Sequence, residues 1–196
     1  SDAQIKQTIV HQAVVAEDGT ITDTVLIRRE HTGTAGEKLY GQTNIDFIRL
    51  YVPLGSELIS AGGFTWPNES SFRAPETYYK KDLTLQQTEK ELGFDRESGT
   101  RITSEFSKTV FGNWIITEPG ETSEVQFTYK LPFKAMVVQN TNPTDGWKNI
   151  FITTENKLVR YQLIAQKQSG INSAFESQIV FPTSWEPIWR EGENMK

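Results

Sequence analysis

The chain contains no cysteine among its 196 residues, which removes several kinds of chemistry at once. Disulfide bonds, thiolate nucleophiles and cysteine-based zinc sites are all excluded. Secreted domains of eukaryotes usually carry disulfides, whereas a large domain without cysteine is ordinary for a bacterial surface protein or a cytosolic protein. If the protein lies outside the cytoplasm, the absence of cysteine therefore favours a bacterial origin.

Long hydrophobic runs, targeting signals and clusters of basic residues are also missing. No stretch of the 196 residues is long and apolar enough for a membrane span, and none has the pattern of a signal peptide or lipidation site. The sequence begins with Ser-Asp-Ala, so we expect a fragment whose missing N-terminal region would hold any membrane anchor. The net charge of −5, without a long basic run, argues against nucleic acid as a partner.

Histidine is scarce, with only His11 and His31. Neither has a carboxylate or a second histidine at a spacing typical of metal ligands, so we interpret both as surface or strand-face histidines. The sequence has no Gly-x-Ser-x-Gly elbow, which leaves serine hydrolase chemistry without support. It also has no phosphate-binding glycine loop, so nothing indicates nucleotide binding.

Alternation of apolar and polar residues is the feature that the sequence has in abundance. Residues 5–31 predict a β-hairpin that turns at Gly19, a residue free to adopt positive φ. The most regular strand covers 125–131, and we expect Pro132 to end it because proline cannot donate to the ladder. A second alternating strand is predicted over 158–168.

The remaining segments are less regular. Residues 44–53 are apolar on both faces, which predicts a strand buried on both sides. A strand over 101–111 is expected to be interrupted at Gly112-Asn113-Trp114. Residues 65–99 are interpreted as an insertion that contains a short helix over 83–92 or a long β-connection. Two short strands are expected at 56–64 and 179–181.

Roughly nine strand candidates without amphipathic helices predict an all-β fold. We expect an antiparallel β-sandwich, immunoglobulin-like, with an irregular insertion around 65–99. One domain would cover 1–182, as a single sandwich or as two packed halves, and a C-terminal tail would cover 183–196.

Aromatic residues in the predicted loops are the candidate ligand-binding residues. Trp66, Tyr78 and Tyr79 lie in the insertion, and Trp147 lies in a polar loop over 139–149. Exposed aromatic rings on a sandwich indicate binding to carbohydrate or to a partner. Buried rings would instead only cap the ends of the sandwich.

Acidic residues offer weaker alternatives. A carboxylate pair in a cleft beside the insertion would support glycoside hydrolysis, with candidates Asp95, Glu105, Glu118 and Glu121. Asp145 in the polar loop has asparagines nearby that could supply oxygens to calcium, but no Asp-x-Asp-x-Asp-Gly motif is present. We interpret these acids as solvated surface residues and predict no catalytic residue, no metal and no cofactor.

Two stretches of the chain resemble sequences of a known family. One, 110–132, contains Phe111-Gly112-Asn113-Trp114 and the turn Pro119-Gly120-Glu121-Thr122; the other is Tyr161-Gln-Leu-Ile-Ala-Gln-Lys-Gln-Ser-Gly170. With Tyr51-Val-Pro-Leu-Gly-Ser56, they resemble the C-terminal extracytoplasmic β-domain of a family of uncharacterised bacterial membrane-anchored envelope proteins, which carries a domain-of-unknown-function label. The resemblance extends to about Pro182. It implies a bacterial, β-rich domain outside the cytoplasm and supplies no catalytic residues.

These observations lead us to expect a non-catalytic extracytoplasmic module of a bacterial cell-envelope protein. Its role would be structural or in interaction, with an unknown protein or glycan of the envelope as partner. It would meet the membrane only through the missing N-terminal region. The alternatives are a carbohydrate-binding module that uses the loop aromatics and a hydrolase with a carboxylate pair in the insertion cleft.

Overall fold

The computed structural model describes residues 2–80, 82–135, 137–138, 158–159, 161–166 and 172–186. Eleven strands occur in these residues: β1 Ile5–Val15, β2 Thr20–His31, β3 Asn44–Pro53, β4 Glu57–Gly62, β5 Lys90–Phe94, β6 Arg101–Glu105, β7 Lys108–Thr117, β8 Thr122–Lys134, β9 Val137–Val138, β10 Leu158–Val159 and β11 Asn172–Val180. The helices there are short: α1 at Leu83–Thr88 and 3-10 turns at Asp2–Gln4 and Glu69–Ser71. The predicted all-β class is confirmed.

Most strands belong to two sheets that pack face to face. The five-stranded sheet has the order β11-β1-β2-β8-β4, and the four-stranded sheet has the order β3-β7-β6-β5. Neighbouring strands are antiparallel except β1 and β11, which are parallel. The short strands β9 and β10 pair separately. The predicted antiparallel β-sandwich is confirmed, and the finer immunoglobulin-like assignment stays a prediction.

The core lies between the inner faces of β7 and β8. Phe111 and Ile115 of β7 pack with Phe127 and Tyr129 of β8, and the rings of Phe111 and Phe127 stack with centroids 6.2 Å apart. These residues occupy alternate positions because side chains of a strand point to opposite faces. The predicted alternation of 125–131 is therefore the pattern of a strand with one face in the core.

The predicted N-terminal hairpin is also confirmed. β1 and β2 pair in a continuous antiparallel register, and Gly19 in the turn has φ of 81°. Asp18 accepts hydrogen bonds from the backbone N–H and the hydroxyl of Thr20. The turn is thus set by a glycine in the left-handed region and by an acidic side chain that folds back on the backbone.

The expected interruption at Gly112-Asn113-Trp114 is wrong, since β7 runs through it without a break. A Cβ at Gly112 would lie 2.8 Å from the ring of Phe47, so this glycine makes room for an aromatic side chain on β3. The chain instead turns at Phe106 and Ser107, with φ of 49° and 59°. Hairpin turns of this kind normally contain Asn or Gly, so these two residues carry no turn signal.

Pro132 does not end β8, which continues to Lys134. The register between β8 and β2 shifts between Thr20 and Thr22, which pair with Lys134 and Lys130. An irregularity of this kind accommodates a residue without an N–H group.

The strand predicted over 158–168 is mostly wrong. Among its described residues, Leu158–Val159 form a strand, whereas 161–166 have no regular structure. Tyr161 packs against the core, whereas Leu163 and Ile164 are exposed. β11 begins at Asn172, earlier than the predicted 179–181. The prediction missed its first residues because Asn, Ser, Glu and Gln are not typical of strands.

The insertion contains the short helix that one of the two predicted alternatives gave, but the helix spans Leu83–Thr88 instead of 83–92. α1 begins after Asp82, whose side chain accepts from the backbone N–H groups of Thr84 and Leu85. β5 follows the helix and pairs with β6, so the insertion extends the four-stranded sheet at one edge. The loop over 139–149, with Trp147 and Asp145, lies outside the described residues, as do residues 187–196 of the predicted tail.

Candidate functional site

The outer face of the four-stranded sheet, the face turned away from the core, carries polar and aromatic side chains. The register places Phe47 opposite Trp114, Arg49 opposite Gly112 and Tyr51 opposite Val110. Tyr51 is 45% exposed, so the prediction that 44–53 is buried on both sides is wrong. Apolar residues on both faces of 44–53 are thus compatible with an outer face that is partly exposed.

Arg49 on this face holds two carboxylates. Its Nη1 atom lies 2.8 Å from Oε1 of Glu89 and 3.2 Å from Oε2 of Glu105. Glu105 is 3% exposed and also accepts hydrogen bonds from the hydroxyls of Tyr51 at 2.9 Å and Thr103 at 2.6 Å. A carboxylate this deeply buried is stable only when its oxygens are paired, and here both are.

A second arginine completes this group of residues. Arg101 of β6 contacts the other oxygen of Glu89 at 3.4 Å. We call Arg49, Tyr51, Glu89, Arg101, Thr103 and Glu105 the ion cluster. Because Glu89 directly follows α1, its two contacts fasten the insertion onto β3 and β6.

The charges of the ion cluster balance. Burial lowers the pKa of Arg49, but the hydrogen bond with Tyr51 and the charges of Glu105 and Glu89 outweigh it, and the pKa is raised overall. Burial and the hydrogen bond to Glu105 raise the pKa of Tyr51, so this phenol remains a donor. Both glutamates are bound by a permanent cation, so they form a compensated pair and not the acid and base that glycoside hydrolysis needs.

Aromatic rings continue from the ion cluster across the sheet. The guanidinium carbon of Arg49 lies 5.8 Å from the centroid of Phe47, whose ring packs on Trp114 at 5.0 Å. Trp114 in turn contacts Phe72 of the insertion at 5.1 Å. Each ring therefore holds the next in place, in geometries between tilted and edge-on that aromatic pairs prefer.

A second aromatic pair lies beside the first. Trp66 contacts Phe94 edge-on at 6.5 Å, and the backbone N–H of the preceding Thr65 donates to the carbonyl of Trp114. Gly99 makes room for Trp66, since a Cβ there would lie 2.6 Å from its indole nitrogen. We call Phe47, Trp66, Phe72, Phe94 and Trp114 the aromatic surface.

The aromatic residues predicted as candidates are exposed where the structure describes them. Trp66 is 55%, Tyr78 71% and Tyr79 64% exposed. Tyr78 and Tyr79 contact each other at 4.9 Å with their ring planes 58° apart, and the planes of Trp66 and Phe94 are 68° apart. The rings within each pair are therefore tilted rather than coplanar. Trp147 lies outside the described residues.

The four acids considered for hydrolysis lie in three separate places. Asp95 accepts from the backbone N–H and hydroxyl of Ser98, and these hydrogen bonds lower its pKa. Glu118 accepts from the hydroxyl of Thr43, and Glu121 is exposed in the same turn. The fourth candidate, Glu105, belongs to the ion cluster, where Arg49 contacts both Glu105 and Glu89.

Both histidines are buried on strands, His11 on β1 and His31 on β2, so of the two predicted alternatives the surface position is wrong and the strand-face position is confirmed. His11 Nε2 lies 3.5 Å from Asp23 Oδ2, and His11 Nδ1 lies 3.0 Å from Ser177 Oγ. The spacing of residues in the sequence did not indicate Asp23 as a partner of His11, because Asp23 lies across the hairpin on β2. His31 accepts from the backbone N–H of Gly33 and contacts the carbonyl oxygen of Gln42 at 3.0 Å, which organises the loop after β2.

Ser177, His11 and Asp23 are residue types of a serine hydrolase, but their setting favours a structural role. Ser177 lies in the middle of β11, where backbone N–H groups point along the plane of the sheet and not toward its own side chain. An oxyanion hole needs N–H groups that converge on the reacting atom. The three side chains instead bond β11 to β1 and β2.

The sequence matches no family model, and searches of curated proteins and of solved structures found no match. Within the described residues, no helix is long and apolar enough to cross a membrane. The same part of the chain holds no group of three or more acidic or histidine side chains placed to bind a metal ion.

Proposed function

We propose that this chain is a non-catalytic binding module of a bacterial cell-envelope protein, and that it binds its ligand through the aromatic surface. The observation that carries the proposal is the exposure of Trp66, Phe72 and Phe94, each about half open to solvent, with Phe72 packed on Trp114 of β7 and Trp66 packed on Phe94 of β5. A cluster of exposed aromatic side chains is costly in water and is typical of a surface that a ligand covers.

The ion cluster supports this proposal because it holds the surface in shape before any ligand arrives. Glu89 fastens the insertion, which carries all three of these exposed rings, to Arg49, and Arg49 lies over Phe47. A surface that is already ordered loses little conformational entropy when it binds. The same contacts that make the glutamates unsuitable for catalysis thus make the rings suitable for recognition.

The charge of the domain supports a neutral or weakly charged ligand. The net charge is −5, and the two arginines beside the aromatic surface are already paired with two glutamates. A polyanion would be repelled by the net charge and would find both of these arginines already paired. An envelope protein or a neutral glycan fits these charges better.

A carbohydrate ligand is the second candidate, favoured by the exposure of Trp66, Tyr78 and Tyr79. Sugar rings stack on aromatic faces, and these three rings are open to solvent. The ring planes of Tyr78 and Tyr79 are 58° apart, and those of Trp66 and Phe94 are 68° apart. A glycan would therefore contact these rings one at a time instead of lying along a flat platform.

The location outside the cytoplasm is supported by the resemblance to the envelope family and agrees with the lack of cysteine. A fusion of the parent protein to a reporter that is active only after export tests the location. Activity confined to the cytoplasm would contradict it.

Binding itself is tested by incubating the folded domain with two immobilised probes. The first is cell-wall polysaccharide and peptidoglycan, and the second is detergent-solubilised envelope protein. We expect saturable binding to one probe and its loss when Trp66 and Phe72 are both replaced by alanine. Saturable binding to neither probe would contradict the proposed function, and the choice between probes separates the two candidate ligands.

A further inference from the structure

β11 forms one edge of the five-stranded sheet in the part of the chain that the structure describes. Its nine residues pair with β1 in an unbroken parallel register from Asn172 to Val180. Within the described residues, the other side of β11 therefore offers a row of backbone N–H and carbonyl groups. Such a row can pair with a strand of another molecule.

The other edge strands carry features that hinder such pairing. β4 has six residues and a register shift between Leu58 and Ser60. β5 has five residues and a shift between Glu91 and Gly93. β3 carries charged side chains and ends at a proline. Bulges, short length, charges and proline are the usual ways in which proteins protect sheet edges.

β11 has almost none of these features. It contains no proline, no lysine, no arginine and a single charged residue, Glu176. Its apolar side chains are open to solvent: Phe175, Ile179 and Val180 are 44%, 40% and 40% exposed. A long, regular and apolar edge strand is a candidate for pairing between molecules.

We propose that this chain forms a dimer in which β11 pairs antiparallel with β11 of a second copy, centred on Ser177. The two five-stranded sheets then continue into one another across a two-fold axis, so the interface is the same on both copies. Pairing through an added strand supplies main-chain hydrogen bonds, and the side chains set the register.

The sequence of β11 is complementary to itself in this register. Phe175 of one copy lies opposite Ile179 of the other, on the face turned toward the core. On the other face, Glu176 lies opposite Gln178 and Ala174 opposite Val180. Apolar residues thus meet apolar residues, and each carboxylate meets an amide. Cross-strand pairs of these kinds stabilise antiparallel strands.

β11 is held firmly enough to act as such an edge. Gln7 donates to Ser173, His11 contacts Ser177, and Gln12 donates to Gln178, so side-chain hydrogen bonds accompany the main-chain pairing along the strand. Ser177, at the centre of the proposed register, and Gln178, which faces Glu176 of the second copy, are therefore already oriented by β1.

The register is tested by charge at position 178, measured by analytical ultracentrifugation over a range of concentrations. The wild type is expected to reach twice the monomer mass. Gln178→Glu places a second negative charge opposite Glu176 at two symmetric points and should weaken dimerisation roughly tenfold. Gln178→Lys places opposite charges there and should strengthen it. Ser60→Glu on β4 adds the same charge to the same sheet at its other edge and should change nothing.

Cysteine pairing gives a second test, since the chain has no cysteine of its own. Mixing Glu176→Cys with Gln178→Cys should give a disulfide-linked heterodimer faster than either variant links to itself, because these positions face each other. A wild type that stays monomeric at the highest concentration would overturn the proposal. So would a dimer that is indifferent to charge at position 178.

Discussion

Glu89 and Arg49 lie 2.8 Å apart, and this contact joins the insertion to the outer face of the four-stranded sheet. The two residues are forty positions apart in the chain and belong to different structural units, an edge connection and a sheet strand. Their contact determines where the insertion rests. The aromatic surface depends on it because Trp66, Phe72 and Phe94 all lie within the insertion.

Glu89→Gln should loosen the insertion while the sandwich remains folded. The amide loses the charge that attracts Arg49 and Arg101, but Arg49 is more than a third exposed, so we expect a loss of about 0.5–1 kcal/mol of unfolding free energy. Hydrogen exchange should become faster in 83–94 and stay unchanged in β2 and β8. Glu91→Gln is the matched control on exposed β5. Equal protection of 83–94 in both variants would refute the role given to Glu89.

Glu105→Ala should be far more damaging than a change at an exposed acid. The substitution removes a buried carboxylate and leaves the hydroxyls of Tyr51 and Thr103 without their acceptor. We expect a loss of about 3 kcal/mol in unfolding free energy, measured by urea denaturation. Glu118→Ala, at an exposed turn, should cost less than about 1 kcal/mol. Similar losses at both positions would show that the ion cluster contributes little to stability.

Alkaline pH should destabilise the domain through Tyr129 and Tyr161. Burial raises the pKa of both phenols, and the nearby carboxylate of Asp23 raises it further. Their folded pKa values thus exceed the ordinary value of 10.0, so the stabilisation is complete below about pH 10 and is lost as the pH rises above it. Absorbance at 295 nm should show a late tyrosinate phase that coincides with unfolding.

The substitution Tyr161→Phe provides the control for that titration. The late phase should shrink, and the loss of stability above pH 10 should become less steep. A titration of the wild type in which all tyrosines ionise together near pH 10 without unfolding would contradict the burial of these phenols.

His11 and Ser177 should be coupled in stability and inactive in chemistry. A double-mutant cycle with His11→Gln and Ser177→Ala should give an interaction of about 1 kcal/mol, because the two side chains form one hydrogen bond between β1 and β11. A fluorophosphonate reagent should leave Ser177 unlabelled, as measured by mass spectrometry of the peptide. Labelling that depends on His11 would show an activated serine and contradict the non-catalytic proposal.

The strands with one face in the core could be predicted from the sequence because burial imposes a period of two on them. Phe127 and Tyr129 alternate with polar residues, and the structure has both in the core. The same pattern failed at 161–166, where alternation occurs without a strand. A pattern of side chains indicates which face is buried but does not show whether a partner strand is present.

The candidate site is less predictable from the sequence. Trp66, Tyr78 and Tyr79 stand out as aromatic residues in predicted loops, and these three are exposed. Arg49, Glu89 and Glu105 do not stand out as a group, because their contacts join segments far apart in sequence. The one local signal of the site is the series Phe47, Arg49 and Tyr51, which are alternate residues of one strand and therefore share a face. Two rings and a charge on one face are also typical of a partly exposed outer face.

The proposed function depends most directly on the binding of an envelope ligand to the aromatic surface. The decisive measurement is the dissociation constant for the probe that binds the wild type, compared between Trp66→Ala and Phe133→Ala. Both replace a ring that is about half exposed, but Phe133 lies on β8, away from the aromatic surface. We predict that Trp66→Ala weakens binding at least tenfold, since central aromatic residues dominate such interfaces, while Phe133→Ala leaves it unchanged. Equal affinities for both variants would contradict the proposed function.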